Sequence, residues 1–151
     1  MPFQEVLQDV GGLGGISLFL IVTVVALFNN ISLGFTLSVC LAVLYAVMIL
    51  IRLVWFRQRP DKQRFSSWLQ RIDASSFPSM HTMRASALSI VLGMWFQNTF
   101  VFVLLVIVAL LVGWTRVHFK RHYWSDVIIG WFLGVILGWF SVWIITILPN
   151  L

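Results

Sequence analysis

Residues 127–148 read VIIGWFLGVILGWFSVWIITIL. The stretch holds no Asp, Glu, Lys, Arg or His, and a helix of about 20 residues is enough to cross the ~30 Å hydrocarbon layer of a bilayer. It is therefore read as a membrane span. Gly130, Gly134 and Gly138 recur every four residues, a ridge without side chains against which another helix can pack closely in lipid. We expect the ridge to be used within the chain; the alternative is the seam of a homodimer.

Outward from this span, apolar runs at about Leu13–Phe28, Ile31–Ile51, Met80–Phe96 and Thr99–Thr115 bring the expected number of spans to five. The first, third and fourth are short, so their ends must use flanking polar residues or lie in thinner surroundings. Composition agrees. Of 151 residues, 60% are hydrophobic and 10% charged, with eight Trp and thirteen Phe, and the mean hydropathy is +0.98. A soluble fold of this size could not cover so much apolar surface. The expected class is an all-α integral membrane protein of the cell membrane, multi-pass, with residues 1–151 as one domain. Cys40, the single cysteine, excludes an intrachain disulfide. Glu5 and Asp9, rather than a basic cluster, precede the first run, so that run is read as a retained span and not a signal peptide.

Asn29-Asn30 and Gln97-Asn98 are the sole polar breaks between the first and second and between the third and fourth spans, which makes both tight hairpins. Nearly all other polar residues lie in 52–79 and 115–126. Counting spans puts both segments on one membrane face. Within the longer one, Phe65, Trp68, Leu69 and Ile72 fall at helical spacing opposite Arg64, Ser66, Ser67, Gln70, Arg71 and Asp73, the pattern of a short interfacial helix.

That face carries His81, His118, His122 and all ten Lys and Arg. A positive-inside charge bias alone would place cations there, but the pattern is more specific. Arg52, Arg59 and Arg116 offer forked donors suited to phosphate. Pro78-Ser79 opens a helix, where Ser79 can cap and free N–H groups can meet an anion. His81 comes next in the first turn, placed for general acid work. His122 and Asp126 are four residues apart, so the carboxylate can orient the imidazole as a nucleophile. Arg84, three residues after His81, is a further candidate phosphate contact, whereas His118 is read as interfacial. No carboxylate cluster suits magnesium, so no metal or other cofactor is expected.

Arg52-x6-Arg59-Pro60, Pro78-Ser79-Met80-His81 and Thr115-Arg116-x5-His122-x3-Asp126 together resemble the three-part signature of the type 2 phosphatidic acid phosphatase superfamily: Lys-x6-Arg-Pro, Pro-Ser-Gly-His and Ser-Arg-x5-His-x3-Asp. Arg52 replaces Lys and Thr115 replaces Ser, preserving charge and hydroxyl; Met80 replaces Gly and adds bulk beside the phosphate loop. The resemblance implies His122 as nucleophile, Asp126 as its orienter, His81 as proton donor to the leaving group, and Arg52, Arg59, Ser79 and Arg116 as holders of the phosphoryl oxygens. It implies no metal. Many relatives have six spans, and this chain looks like a version lacking one.

The expected function is hydrolysis of a phosphomonoester or diphosphate of a membrane lipid, of the isoprenoid diphosphate or phosphatidic acid/phosphatidylglycerophosphate type, through a phosphohistidine. Alternatives are a lipid phosphotransferase and a non-enzymatic transporter or assembly protein. The expected partners are the phosphorylated lipid and the bilayer, with no nucleic acid. With the three candidate phosphate ligands Arg52, Arg59 and Arg116 set aside, seven cations remain on the site's face: Arg57, Lys62, Arg64, Arg71, Arg84, Lys120 and Arg121. The opposite ends, including the tail from Pro149 to Leu151, have none. The positive-inside rule then places the site in the cytoplasm, although many bacterial relatives work on the outer face.

Overall fold

The computed structural model describes residues 2–62 and 66–147. They form seven helices: α1 (Pro2–Gly12), α2 (Ile16–Asn29), α3 (Ile31–Val54), α4 (Trp68–Ala74), α5 (Met80–Phe96), α6 (Thr99–His118) and α7 (Trp124–Ile147). Among the described residues there is no strand, only an isolated antiparallel bridge between Gln58 and Ser75. The all-α membrane fold is as expected.

The span count differs from five. α3, α6 and α7 are long and apolar enough to cross a bilayer, and α1 with α2, bent by 51° at their junction, supplies a fourth if counted as one. α5, at 17 residues, falls short, and its position explains its composition. It packs most extensively on α7 and α6, and every residue from Thr82 to Ser89 is buried. A helix enclosed by others needs no lipid-facing residues. It can carry serines whose hydroxyls bond backbone carbonyls, as Ser86 does to Thr82 (2.8 Å) and Ser89 to both Ala85 and Leu105 of α6 (each 2.9 Å).

The glycine ridge is what lets α5 sit so close to α7. A Cβ on Gly130 would stand 2.8 Å from the Ser79 carbonyl oxygen, one on Gly134 would overlap the Ser86 hydroxyl and Met83 carbonyl, and one on Gly138 would stand 3.0 Å from the Ala87 carbonyl oxygen. The ridge is thus occupied inside the chain. Around this pair, Phe19, Leu37, Leu44, Met83 and Val91 form the buried core, whereas Phe28, Ile31, Phe100, Ile136 and Trp139 are more than half exposed. So much outward apolar surface is what a lipid solvent requires.

Both hairpins close as expected, with asparagine supplying the cap. Asn30 accepts the N–H of Leu33 (3.0 Å) and Asn98 that of Val101 (3.1 Å), each satisfying one orphan donor of the next helix. The short helix expected in this segment is α4, capped by Ser67 on Gln70 (3.2 Å), with Trp68 and Leu69 outward and Ile72 half-buried. Arg64 and Phe65, counted in its expected pattern, lie outside the described residues, as does the tail from Pro149 to Leu151.

Candidate active site

The C-terminal ends of α3 and α6 and the N-terminal ends of α5 and α7 meet on one side, as span counting required. There Tyr45, Met48, Arg52, Arg59, Asp73, Met80, His81, Arg84 and His122 enclose a cavity of about 110 Å³. Tyr45, Met48 and Arg52 line one face of α3 at spacings of three and four. Five expected site residues meet here: Arg52, Arg59, His81, Arg84 and His122. Met80 joins the wall, so the side chain that departs from the family's glycine narrows the cavity.

The remaining three do not line this cavity. Arg116 lines a neighbouring cavity of about 360 Å³ with Gln8, Gly11, Phe119 and Arg121. Ser79 is fully buried, and its side chain does not cap α5. Its hydroxyl pairs with that of Thr82 at 3.0 Å, a neighbour one turn on that replaces the expected cap. Its N–H donates instead to the Asp126 carbonyl at 3.0 Å, tying the first turns of α5 and α7 together. Asp126, also fully buried, stands behind His122.

Each segment is folded by its own backbone and braced by its arginines. The Arg116 carbonyl accepts the N–H groups of Arg121 (3.0 Å) and His122 (3.2 Å), so the five residues between Arg116 and His122 are a closed turn. Arg52 reaches from α3 to the carbonyls of Ile72 (2.9 Å) and Pro78 (3.1 Å), fixing the loop that leads into α5. Arg59 donates to the Asp73 carbonyl at 2.8 Å. Arg84 donates to the Gly14 carbonyl and the Tyr45 hydroxyl, each at 2.9 Å. Arg52 Nε and Arg116 Nε are buried and meet no acceptor among the described residues, an arrangement proteins seldom leave unanswered.

His122 is held differently from expectation. Its Nδ1 lies 2.7 Å from the Ser76 carbonyl oxygen and 3.9 Å from Asp126 Oδ2. A carbonyl can only accept, so Nδ1 must carry the proton, and in the neutral ring Nε2 holds the lone pair. Burial, then the Arg59 and Arg116 cations, push the imidazole down to about 3, against the opposing pull of the Ser76 bond. The ring is neutral at physiological pH. Asp126 Oδ1 instead takes Arg57 Nη1 at 2.7 Å, and Oδ2 takes the Tyr123 N–H at 2.9 Å. His118 stacks on Trp114 with centroids 5.0 Å apart, away from the cavity.

Sequence reasoning missed Tyr45, Ser76 and Arg57. Tyr45 was findable, since it precedes Arg52 by seven residues on one helical face. Ser76 acts through its carbonyl, which no sequence distinguishes. Among the described residues, no three His, Cys, Asp or Glu side chains gather as a metal site would need.

Residues 33–148 match the sequence model of the PAP2 superfamily. Among solved structures, LpxE of Aquifex aeolicus is similar with a TM-score of 0.78 and 21% identity, over 94% of this chain and 87% of that one. A PAP2-type phosphatidylglycerolphosphate phosphatase of Bacillus subtilis is similar with a TM-score of 0.68 and 24% identity, over 93% of this chain and 76% of that one. A comparison with curated proteins finds no match.

Proposed function

The chain belongs to the PAP2 superfamily, and on that premise we propose that it hydrolyses a phosphate ester or diphosphate of a membrane lipid through a phosphohistidine. The carrying observation is the 2.7 Å bond from His122 Nδ1 to the Ser76 carbonyl, which leaves Nε2 with a free lone pair on a residue that lines a cavity walled by Arg52, Arg59 and Arg84.

In the first step the Nε2 lone pair forms a bond to phosphorus, the bond to the leaving oxygen breaks, and His81 gives that oxygen a proton. Bound phosphate favours the protonated His81 the step needs. Charge spreading over the phosphoryl oxygens is met by guanidinium donors fixed in place beforehand, so no reorganisation is needed as the charge develops. In the second step water attacks phosphorus, its proton passes to His81, and the N–P electron pair returns to Nε2. Asp126, 3.9 Å from Nδ1, is the counter-charge to the ring while it carries phosphate.

The cavity, about 110 Å³, is small, on the scale of a phosphate group rather than of a large headgroup. Met80 in its wall reinforces this limit. These dimensions favour a lipid whose headgroup is a simple phosphate or diphosphate, with the tail leaving towards the bilayer. The reaction needs no metal on this reading, so EDTA should leave turnover intact. The site faces the cytoplasm, on the strength of the cation count.

His122→Ala tests the mechanism. The variant folds, releases no phosphate from phosphatidic acid or an isoprenoid diphosphate, and traps no acid-labile ³²P on the protein. Unchanged phosphate release would overturn the reading.

A further inference from the structure

Among the described residues Arg84 is a buried cation without a counter-ion. It is 5% exposed, and the ion pairs join Arg57 to Asp126, Arg121 to Asp61 and His122 to Asp126. Neutral groups alone hold Arg84: its Nε donates to the Gly14 carbonyl and its Nη1 to the Tyr45 hydroxyl, each at 2.9 Å. A charge taken out of water is costly unless an opposite charge meets it. Arg84 nevertheless lines the cavity that holds His81 and His122, and it belongs to no part of the family signature.

What this end of the cavity leaves unused is donors. With Nε and Nη1 engaged, Arg84 Nη2 makes no hydrogen bond among the described residues. Tyr45 also lines the cavity, and its oxygen, having accepted from Nη1, keeps its own O–H to give. Two donors and a positive charge side by side call for an anionic acceptor, and phosphate oxygens are that.

Depth decides which phosphate. α5 runs from the site's face into the bundle, so at roughly 1.5 Å per residue Arg84 lies about 4.5 Å below His81; α3 runs the other way and puts Tyr45 about 10 Å below Arg52. The opposite, headgroup end of the cavity is made by His122, which precedes α7, and by Asp73 of α4, whose carbonyl Arg59 holds. In-line displacement sets the leaving oxygen across the phosphorus from the attacking atom. With His122 Nε2 attacking, that oxygen lies on the side of α5, and the lipid tail continues from it towards the hydrocarbon.

We propose that Arg84 and Tyr45 form a second anion subsite that takes the inner phosphate of a lipid diphosphate. The proposal rests on the phosphatase reading above and narrows its substrate class. His122 Nε2 bonds to the outer phosphorus as that phosphorus parts from the bridging oxygen. The bridging oxygen keeps the electron pair of the broken bond and stays on the lipid, now a monophosphate, whose added charge is met by Arg84 and by the proton from His81. A phosphomonoester has no inner phosphate, so Arg84 has no partner in its reaction.

Kinetics on an isoprenoid diphosphate and the monophosphate of the same alcohol test it. The wild type prefers the diphosphate. Arg84→Gln lowers kcat/KM for the diphosphate about 10- to 100-fold more than for the monophosphate, the scale of a charged hydrogen bond. Tyr45→Phe, which keeps the ring, lowers the same ratio about 3- to 10-fold, and Arg84→Lys, which keeps the charge without the fork, falls between wild type and Arg84→Gln. Equal losses on both substrates would overturn the proposal, since Arg84 would then serve the transferred phosphoryl group or the fold alone. So would a wild type without the preference, or one whose preference survives both substitutions. If Arg84→Gln does not fold, the ratio in Tyr45→Phe decides. Binding of a non-hydrolysable lipid methylenediphosphonate, compared with the phosphonate of the same tail, reads the subsite apart from the reaction: the wild type holds the diphosphonate at least about 10-fold more tightly, and Arg84→Gln or Tyr45→Phe reduces that difference. If the wild type turns over neither substrate, the phosphatase reading fails, and this binding difference still decides the subsite.

Discussion

Replacing Gly130 by alanine slows turnover more than it destabilises the bundle. The new Cβ would stand 2.8 Å from the Ser79 carbonyl oxygen and 3.3 Å from its nitrogen, where a carbon–oxygen contact needs about 3.3–3.6 Å. Backbone on both sides must therefore separate by roughly 0.5–0.8 Å. Ser79 cannot yield alone, because its N–H donates to the Asp126 carbonyl and its carbonyl accepts the Met83 N–H, both at 3.0 Å. The displacement passes to the turn from Pro78 to His81 and to the start of α7, moving His81 relative to His122. A 1 Å misplacement costs on the order of 100-fold in rate, so kcat should fall about 10- to 100-fold, or about 1.4–2.7 kcal/mol. Gly138→Ala is the matched control. Its Cβ would stand 3.0 Å from the Ala87 carbonyl oxygen, two turns farther along α7 and away from the cavity, so it should destabilise the fold by the ~1–3 kcal/mol of overpacking, seen as a lower unfolding temperature, and leave kcat within about 3-fold. Phosphate release and thermal unfolding of the two purified variants check the contrast. A Gly130→Ala enzyme with wild-type kcat would refute the claim that the ridge positions the site.

Three further outcomes are expected. His122, held down to about 3 in the folded chain against about 6.5 unfolded, binds its proton in the unfolded state first, so acidification from pH 6.5 towards 3 destabilises the fold through this residue. His122→Asn, which keeps a donor for the Ser76 carbonyl, should flatten the fall of unfolding temperature in that window; an identical fall would contradict the assignment. His81→Ala should cost more with a lipid phosphomonoester than with a diphosphate, whose leaving group needs less protonation; equal losses in kcat/KM would remove the general acid. In a Cys40-free background, an impermeant thiol reagent applied to intact cells should label a cysteine at Asn98 and spare one at Ser67; the reverse would turn the protein over in the membrane while leaving its chemistry as proposed.

Some of this protein is written in its sequence because it depends on side-chain identity at short range. The apolar runs report their solvent, the asparagines at 30 and 98 cap α3 and α6, and the spacing from Arg116 to His122 matches a turn closed by neighbouring backbone groups. Counting spans was enough to bring Arg52, His81 and His122 to one face. Other features came only with the fold. That Met80–Phe96 runs through the middle of the bundle depends on which helices surround it, and its serines and Arg84 make sense only once their carbonyl and tyrosine partners are in place. α1 carried no apolar run long enough to announce it. The hydrogen-bond partner of His122 Nδ1 is a carbonyl at Ser76, a group every residue possesses, and the carboxylate expected in that role is held by Arg57, distant in sequence. Side chains carry their chemistry in the sequence, but backbone acceptors and long-range ion pairs acquire theirs from position, which tertiary packing alone decides.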